Sequence, residues 1–283
     1  MTAIHPDAAG ATNTTAGATA GATAADTPPR PGRVAVIVPA AGRGERLGPG
    51  APKALRELGG VPLLVHAVRS LLAARSVDLV CVAAPPSAEG VAEVRALLDD
   101  ESGKDTGKNS GSGKDILVTA GGASRQGSVA SALAILPADC TVVLVHDAAR
   151  ALAPVELIES VVAAVRSGRS AVVPVLPVAD TVKRVDGDLV TATIDRSLLR
   201  VVQTPQGFTR PVLEQAHANA DPTAPATDDA GLVEALGLPV HTVPGHPAAF
   251  KVTTPFDLLV AEAVLARSRQ SQSRPGRSSA HGR

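Results

Sequence analysis

The stretch VAVIVPAAGRGERLGPGAPKAL, residues 34–55, decides how this chain is read. Its opening run of Val, Ile and Ala carries no charge and has the length of a strand buried on both faces. The run passes directly into a glycine-rich loop that includes Gly42, Gly44 and Gly48, with Arg43 and Arg46 among the glycines and Lys53 just after them. Glycine lets backbone N–H groups approach phosphate oxygens closely, and cationic side chains neutralise the charge there. The combination suits a polyphosphate, although an ordinary Gly-rich turn with solvated arginines satisfies the local pattern as well. Two familiar loops do not fit. Walker A is absent, and Leu47 stands where the dinucleotide fingerprint needs glycine.

Outward from this stretch the pattern repeats. VDLVCVAA at 77–84, DILVTA at 115–120, TVVLVHD at 141–147 and SAVVPV at 170–175 are further short apolar runs. Between them lie segments of helical period: in PLLVHAVRSLL, Leu64, Ala67, Val68, Leu71 and Leu72 share one face, and VELIESVVAAVRSG repeats the spacing. Such alternation predicts an α/β fold with a doubly wound, mostly parallel sheet. Its ligand belongs at the carboxyl ends of the strands.

One segment departs from the alternation. In DTVKRVDGDLVTATIDRSLL two β-branched stretches flank Asp186-Gly187, the signal of a tight hairpin. A lone two-stranded hairpin is marginally stable in water, so this arm, about residues 177–200, is expected to protrude and to pack on a second copy of the chain, making a homodimer. The Ala/Thr/Gly tract at 1–32 reads as a disordered leader, 101–115 as a flexible insertion and 267–283 as a disordered tail, which leaves 33–266 as one domain.

Composition narrows the function classes. Of 283 residues, 45% are hydrophobic and 19% charged, the balance of a globular chain with a sizeable core. Lys plus Arg and Asp plus Glu both number 27, so no overall field attracts a polyanion and any anion is met locally. With no Trp, no Tyr and only Phe208, Phe250 and Phe256, there is no platform for stacking bases, and no nucleic acid partner is expected. No run approaches the roughly 20 apolar residues of a membrane helix. Cys81 and Cys140, each beside Val and Leu, read as buried free thiols in a reducing, cytoplasmic setting. None of the histidines has zinc-ligand spacing. His241 and His246 read as surface residues, and His146 as packed or hydrogen-bonded rather than a base.

At the Gly-rich loop the chain resembles nucleotidyltransferases, with A-A-G-x-G-x-R followed by P-K in PAAGRGERLGPGAPKAL. TAGGASRQGSV at 119–129, VHDAAR at 145–150, DTVKR at 180–184, IDR at 194–196, TPQGF at 204–208, TDDA at 227–230 and FKVTTPFDLLVAE at 250–262 follow in the order found in the 2-C-methyl-D-erythritol 4-phosphate cytidylyltransferase family. The resemblance implies a Rossmann-like nucleotidyltransferase fold and transfer of a cytidylyl group from CTP to methylerythritol phosphate, with release of pyrophosphate. It implies Arg46, Lys53 and Lys251 as catalytic, and Ala40, Ala41, Gly42, Gly44, Gly122, Arg125, Ser128 and Asp147 as nucleotide-binding. It further implies Thr181, Arg196, Thr204, Thr227 and Lys251 as holding the acceptor, with the arm residues reaching the partner subunit's site, and Asp147 as the residue associated with magnesium.

Read locally, Asp147 suits a helix N-cap as well as a metal ligand, and Lys183 and Arg196 suit solvated charges on an exposed hairpin. Ala151 stands where the family has Pro, Ala248 and Ala249 where it often has a polar residue, and Asp229 where it commonly has Glu, a change that keeps the charge. A phosphomonoester is already mostly anionic at pH 7, its second pKa being about 6, so the implied reaction needs no general base. Positioning and charge stabilisation are the expected means. The alternatives are a ribitol-5-phosphate cytidylyltransferase, which would differ in the acceptor pocket, a sugar-phosphate nucleotidyltransferase using another base, and a catalytically silent nucleotide-binding regulator.

Overall fold

The structure, a computed structural model, describes residues 32–42, 52–99, 101, 114–221 and 226–273. All of the expected leader but residue 32, Arg43, Gly44, Arg46 and Gly48 of the loop, and most of the 101–115 insertion lie outside the described residues. In chain order the elements are β1 (Arg33–Pro39), β2 (Glu57–Leu58), β3 (Val61–Pro62), α1 (Leu63–Ala73), β4 (Leu79–Ala84), α2 (Ala88–Asp99), β5 (Asp115–Ala120), α3 (Arg125–Ala134), β6 (Cys140–Val145) and α4 (Val155–Arg166). There follow β7 (Ala171–Pro177), β8 (Val182–Asp186), β9 (Leu189–Ile194), β10 (Arg200–Val202), β11 (Gln206–Thr209), α5 (Arg210–Ala218), α6 (Asp229–Ala235), β12 (His241–Pro244) and α7 (Pro255–Ser273).

The main sheet runs β10-β7-β11-β6-β1-β4-β5, and β12 joins β7. β1 pairs in parallel with both β4 and β6, β4 with β5, and β12 with β7, while β10 and β11 run antiparallel to their neighbours. The sheet is therefore mixed but mostly parallel, as the β/α alternation predicts. From β1 the chain steps to β4 on one side and later to β6 on the other, which places a topological switch point at the end of β1.

Side-chain alternation along β1 separates two cores. Val34, Val36 and Val38 pack with Leu64, Val68 and Leu71 of α1 and Ile158 and Val161 of α4. Ala35 and Ile37 face Val129 and Ala132 of α3, Leu213 of α5 and Val233 of α6. β4 is buried throughout, whereas β5 at the sheet edge is only half-buried, since an edge strand has one neighbour and less cover. Cys81 and Cys140 are buried free thiols, and burial pushes the Cys81 thiol up to about 12, far from reactive.

The hairpin expected from Asp186-Gly187 is present as β8 and β9, a separate two-stranded sheet. Asp186 pairs with Leu189, so the turn residues are Gly187 and Asp188, one position later than the sequence signal, and Gly187 adopts φ 58°. A left-handed first turn residue suits glycine and matches the twist of the strands. At the C-terminal end, α7 continues past residue 266, where the polar tail was expected, to Ser273. Arg and Gln are good helix formers, and extending an existing helix costs little compared with nucleating one.

Candidate functional site

Loops leaving the carboxyl ends of β1, β5 and β6 enclose a cleft of about 360 Å³. Each loop is anchored by a backbone bond one residue beyond the parallel ladder. Ala40 N–H donates to Ala83 O (2.8 Å), Gly121 N–H to Ala84 O (2.7 Å) and His146 N–H to Ile37 O (2.9 Å). The cleft thus sits at the strand ends and the switch point, where sequence patterning placed it.

Ala40, Ala41 and Gly42 line the cleft after β1, and Lys53 lines it from the 3-10 turn Lys53–Leu55. Gly122, Arg125 and Ser128 contribute from β5 to α3, Asp147 from the end of β6, and Lys251 from the loop before α7. The structure therefore gathers nine of the sequence-predicted residues around one space. Arg46 and Gly44 fall outside the described residues.

The β5–α3 turn is tightly made. A Cβ on Gly122 would lie 2.7 Å from the Gly127 carbonyl carbon, so only glycine lets the loop fold over the start of α3. Ser124 caps α3 by accepting from Gly127 N–H at 2.9 Å. The buried Ser128 hydroxyl accepts from Gly122 N–H (3.1 Å) and donates to Ser124 O (2.8 Å), so it fastens the turn whose residues face the cleft.

Asp147 is the electrostatic centre. Its Oδ2 lies 2.6 Å from Lys251 Nζ and its Oδ1 3.2 Å from Arg125 Nε. Burial alone would push this carboxyl up, but Arg125 and Lys251, with Arg150 further off, outweigh burial and hold it well below the usual carboxylate range. Arg125 also reaches Asp229 through Nη1 at 2.8 Å, and Asp229 Oδ1 lies 3.0 Å from His217 Nε2. A chain of ionisable groups consequently runs from Lys251 at the cleft to His217 behind it. Burial lowers the Arg125 pKa, but Asp229 and Asp147 more than offset this and raise it.

The structure places the other expected residues as follows. Asp147 does not cap a helix: α4 begins at Val155 with Pro154 at its N-cap, and Asp147 O instead accepts Arg150 N–H in a turn. Thr204 lies behind the cleft rather than on it, buried, with its Oγ1 accepting from Asp147 N–H at 3.0 Å and paired with His146 Nδ1 at 3.1 Å. It therefore fixes the strand end that carries Asp147. Thr227 is exposed just before α6 and is not among the cleft residues. Thr181 and Arg196 are exposed on the arm, away from this chain's own cleft, with the Arg196 guanidinium donating to Ala179 O. His146 is fully buried, and burial pushes its pKa down to about 4, so it is packed and neutral as expected. His241 and His246 are exposed.

Sequence reasoning gave no role to three residues. Arg150 donates to Ala249 O (2.8 Å) and Val202 O (3.1 Å), joining the Lys251 loop to the base of the arm. Asp229 and His217 complete the ionic chain, and both had a readable signal. Asp229 shares its helix face with the buried Leu232 and Val233, and His217 shares its own with Leu213 and Ala216. A polar residue on an apolar stripe needs a buried partner. Among the described residues no cluster of three or more His, Cys, Asp or Glu is placed to hold a metal, and Asp147 is the carboxylate that lines the cleft.

Comparison with known proteins gives the same picture. The family model described as IspD: 2-C-methyl-D-erythritol 4-phosphate cytidylyltransferase matches residues 34–267. The protein of that name from Streptomyces coelicolor is 53% identical over 246 residues, spanning 84% of this chain and 87% of the relative. The one from Frankia casuarinae is 56% identical over 236 residues, spanning 83% and 82%. A crystal structure of the enzyme from Thermus thermophilus superposes with a TM-score of 0.63 at 38% identity, over 83% of this chain and 99% of the other. A chain with this strand-end cleft, this order of motifs and these relatives belongs to the 2-C-methyl-D-erythritol 4-phosphate cytidylyltransferase family.

Proposed function

We propose that this chain transfers the cytidylyl group of CTP to 2-C-methyl-D-erythritol 4-phosphate, giving 4-diphosphocytidyl-2-C-methyl-D-erythritol and pyrophosphate. The observation that carries the reading is a cleft where Lys53, Arg125 and Lys251 surround one ionised carboxylate, Asp147, in a chain more than half identical to proteins of that name. An oxygen of the acceptor phosphate bonds to the α-phosphorus of CTP, and the bond to the pyrophosphate oxygen breaks. The acceptor oxygen is already anionic, with a second pKa of about 6, so no side chain has to remove a proton. That agrees with a cleft whose titratable side chains among the described residues are Lys53, Arg125, Asp147 and Lys251, and with a His146 turned away to Thr204. The work of the cations is to bring two polyanions together and to hold charge on the leaving group.

Asp147 fits a magnesium ion, which is usually held by one or two carboxylates together with substrate phosphate oxygens. The low pKa of Asp147 keeps it ionised, and either Lys251 or Arg125 would yield an oxygen to the ion. When bound, magnesium would share the charge of the triphosphate.

The reading includes a homodimer. Support comes from the arm, where Val185, Leu189, Val190 and Leu198 are more than half exposed, and a second copy would cover them. Thr181 and Arg196 would then serve the partner's cleft. The buried free thiols support a reducing, cytoplasmic setting.

Pyrophosphate release with CTP, UTP, ATP and GTP crossed against methylerythritol phosphate and ribitol 5-phosphate tests the assignment. CTP with methylerythritol phosphate is expected to be fastest. Faster turnover with ribitol phosphate or with another nucleotide would reject it.

A further inference from the structure

Asp229 and His217 stand behind the cleft and have no part in the reaction as written above. Asp229 is 1% exposed, and a buried carboxylate is costly unless both oxygens are satisfied. Here they are: Oδ1 meets His217 Nε2 at 3.0 Å and Oδ2 meets Arg125 Nη1 at 2.8 Å. The backbone carrying Asp229 is itself bolted to the sheet, because Gln206 of β11 accepts from Ala230 N–H (3.1 Å) and donates to Asp228 Oδ2 (2.6 Å).

Arg125 is thereby held at two points, Nη1 by Asp229 and Nε by Asp147. A planar guanidinium tied at two of its nitrogens has one orientation left. Its Nη2 makes no hydrogen bond to a described residue, and Arg125 lines the cleft. The two anchors differ. Asp147 is shared with Lys251 and faces the cleft, where substrate competes for its partners, whereas Asp229 is sealed from solvent with His217 behind it. Whatever takes the oxygens of Asp147 during turnover, Asp229 keeps Arg125 in place.

We propose that Asp229, oriented by His217, is a positioning residue for Arg125, fixing its guanidinium so that the remaining nitrogen offers a preset cationic donor to the nucleotide in the cleft. The inference rests on the proposed function for the identity of the nucleotide. A donor fixed in advance pays no ordering cost when the ligand arrives, so its loss falls on the nucleotide and not on the acceptor.

The test uses the full chain labelled with 15N-arginine, the Arg125 Nε–H signal being assigned by its absence in Arg125→Gln. Without any ligand, the signal is expected to exchange slowly with solvent in the wild type and at least about tenfold faster in Asp229→Asn and in His217→Leu. His217→Gln, whose amide nitrogen can take the place of Nε2, is expected to stay near the wild type. In turnover, Asp229→Asn is expected to raise KM for CTP at least about fivefold while KM for the acceptor stays within about twofold. Adding it to Arg125→Gln is expected to cost no more than about a further twofold, because the two act through one group. Unchanged Arg125 exchange in Asp229→Asn, or losses that multiply in the double variant, would overturn the inference. If Asp229→Asn does not fold, the contrast between His217→Gln and His217→Leu decides, and equal exchange in the two would overturn it. A wild type that does not use CTP would refute the functional reading alone, because the exchange measurement needs no nucleotide.

Discussion

Lys251 Nζ lies 2.6 Å from Asp147 Oδ2, tying the loop before α7 to the end of β6. The contact joins the last part of the fold to its central strands, and it occurs where the Asp147 side chain is only 11% exposed. Charges this far from water interact more strongly than surface pairs. In the chain alone, Asp147 holds both Lys251 and Arg125 at the cleft, which keeps two cations close together before an anionic substrate arrives.

Asp147→Asn should release Lys251, while Asp229 keeps Arg125 in place. The expected result is a fall in kcat of at least about a hundredfold, since Lys251 loses its orientation and the cleft loses its carboxylate charge. Stability should fall by only about 1–3 kcal/mol, because the Lys251 side chain is partly exposed and can turn to water while Arg125 keeps its bond to Asp229. Steady-state kinetics beside thermal unfolding would check both, and a folded variant with normal kcat would remove Asp147 from the machinery.

Lys53 lines the cleft directly after the Gly-rich loop. Lys53→Ala is expected to lower kcat by about a hundredfold with the fold intact, the lost charge acting on the transition state. Circular dichroism and pyrophosphate release on the same preparation would separate a folding defect from a chemical one.

Asp257 ties down the segment that carries Lys251. It accepts from Thr253 N–H, Thr253 Oγ1 and Thr254 N–H at 2.7–2.8 Å, while Asp257 N–H donates to Thr254 Oγ1 at 3.2 Å, a reciprocal cap at the start of α7. The Thr253 hydroxyl is the largest influence lowering its pKa, which falls to about 2. A depressed carboxyl contributes stability above its unfolded pKa of about 3.9 and loses it as pH falls through the folded value. Asp257→Asn should therefore lower stability by about 1 kcal/mol at pH 7. The gap from wild type should stay constant down to about pH 5 and close toward pH 2. A gap that persists at pH 2–3 in urea titrations would contradict this.

The arm gives a prediction about assembly. Arg196→Ala should raise KM for methylerythritol phosphate far more than KM for CTP, with Arg196→Lys rescuing only partly, because a planar fork matches two phosphate oxygens. Mixed with Lys53→Ala protomers, it should recover activity toward about a quarter of wild type, since half the dimers are mixed and each regains one of two sites. If subunit exchange is demonstrated and no activity returns, Arg196 serves its own chain.

Much of this protein was legible in residue order. The apolar runs that became β1, β4 and β6 and the stripe on α1 are local periodicities, and a period of two or of 3.6 needs no knowledge of distant chain. The cleft's position follows from β/α alternation, and nine of its residues were named from motifs because each motif falls in a loop that follows a strand or leads into a helix. The hairpin was visible from β-branched stretches about a glycine, although the turn formed one residue later than its signal.

What the sequence alone determined, then, was the set of elements and the loops from which the site is built. Only the tertiary structure decided which of those side chains meet. Thr204 and Thr227 sit on loops of the right motif, yet one is buried behind Asp147 and the other stands exposed before α6. Asp229, a residue without apparent consequence in the sequence, proves to clamp Arg125 from a helix about a hundred residues away in the chain, with His217 at its back. The reason is physical: periodicity and turn chemistry act over a few residues, whereas the partner of a buried charge is chosen by the packing of helices and strands distant in the chain.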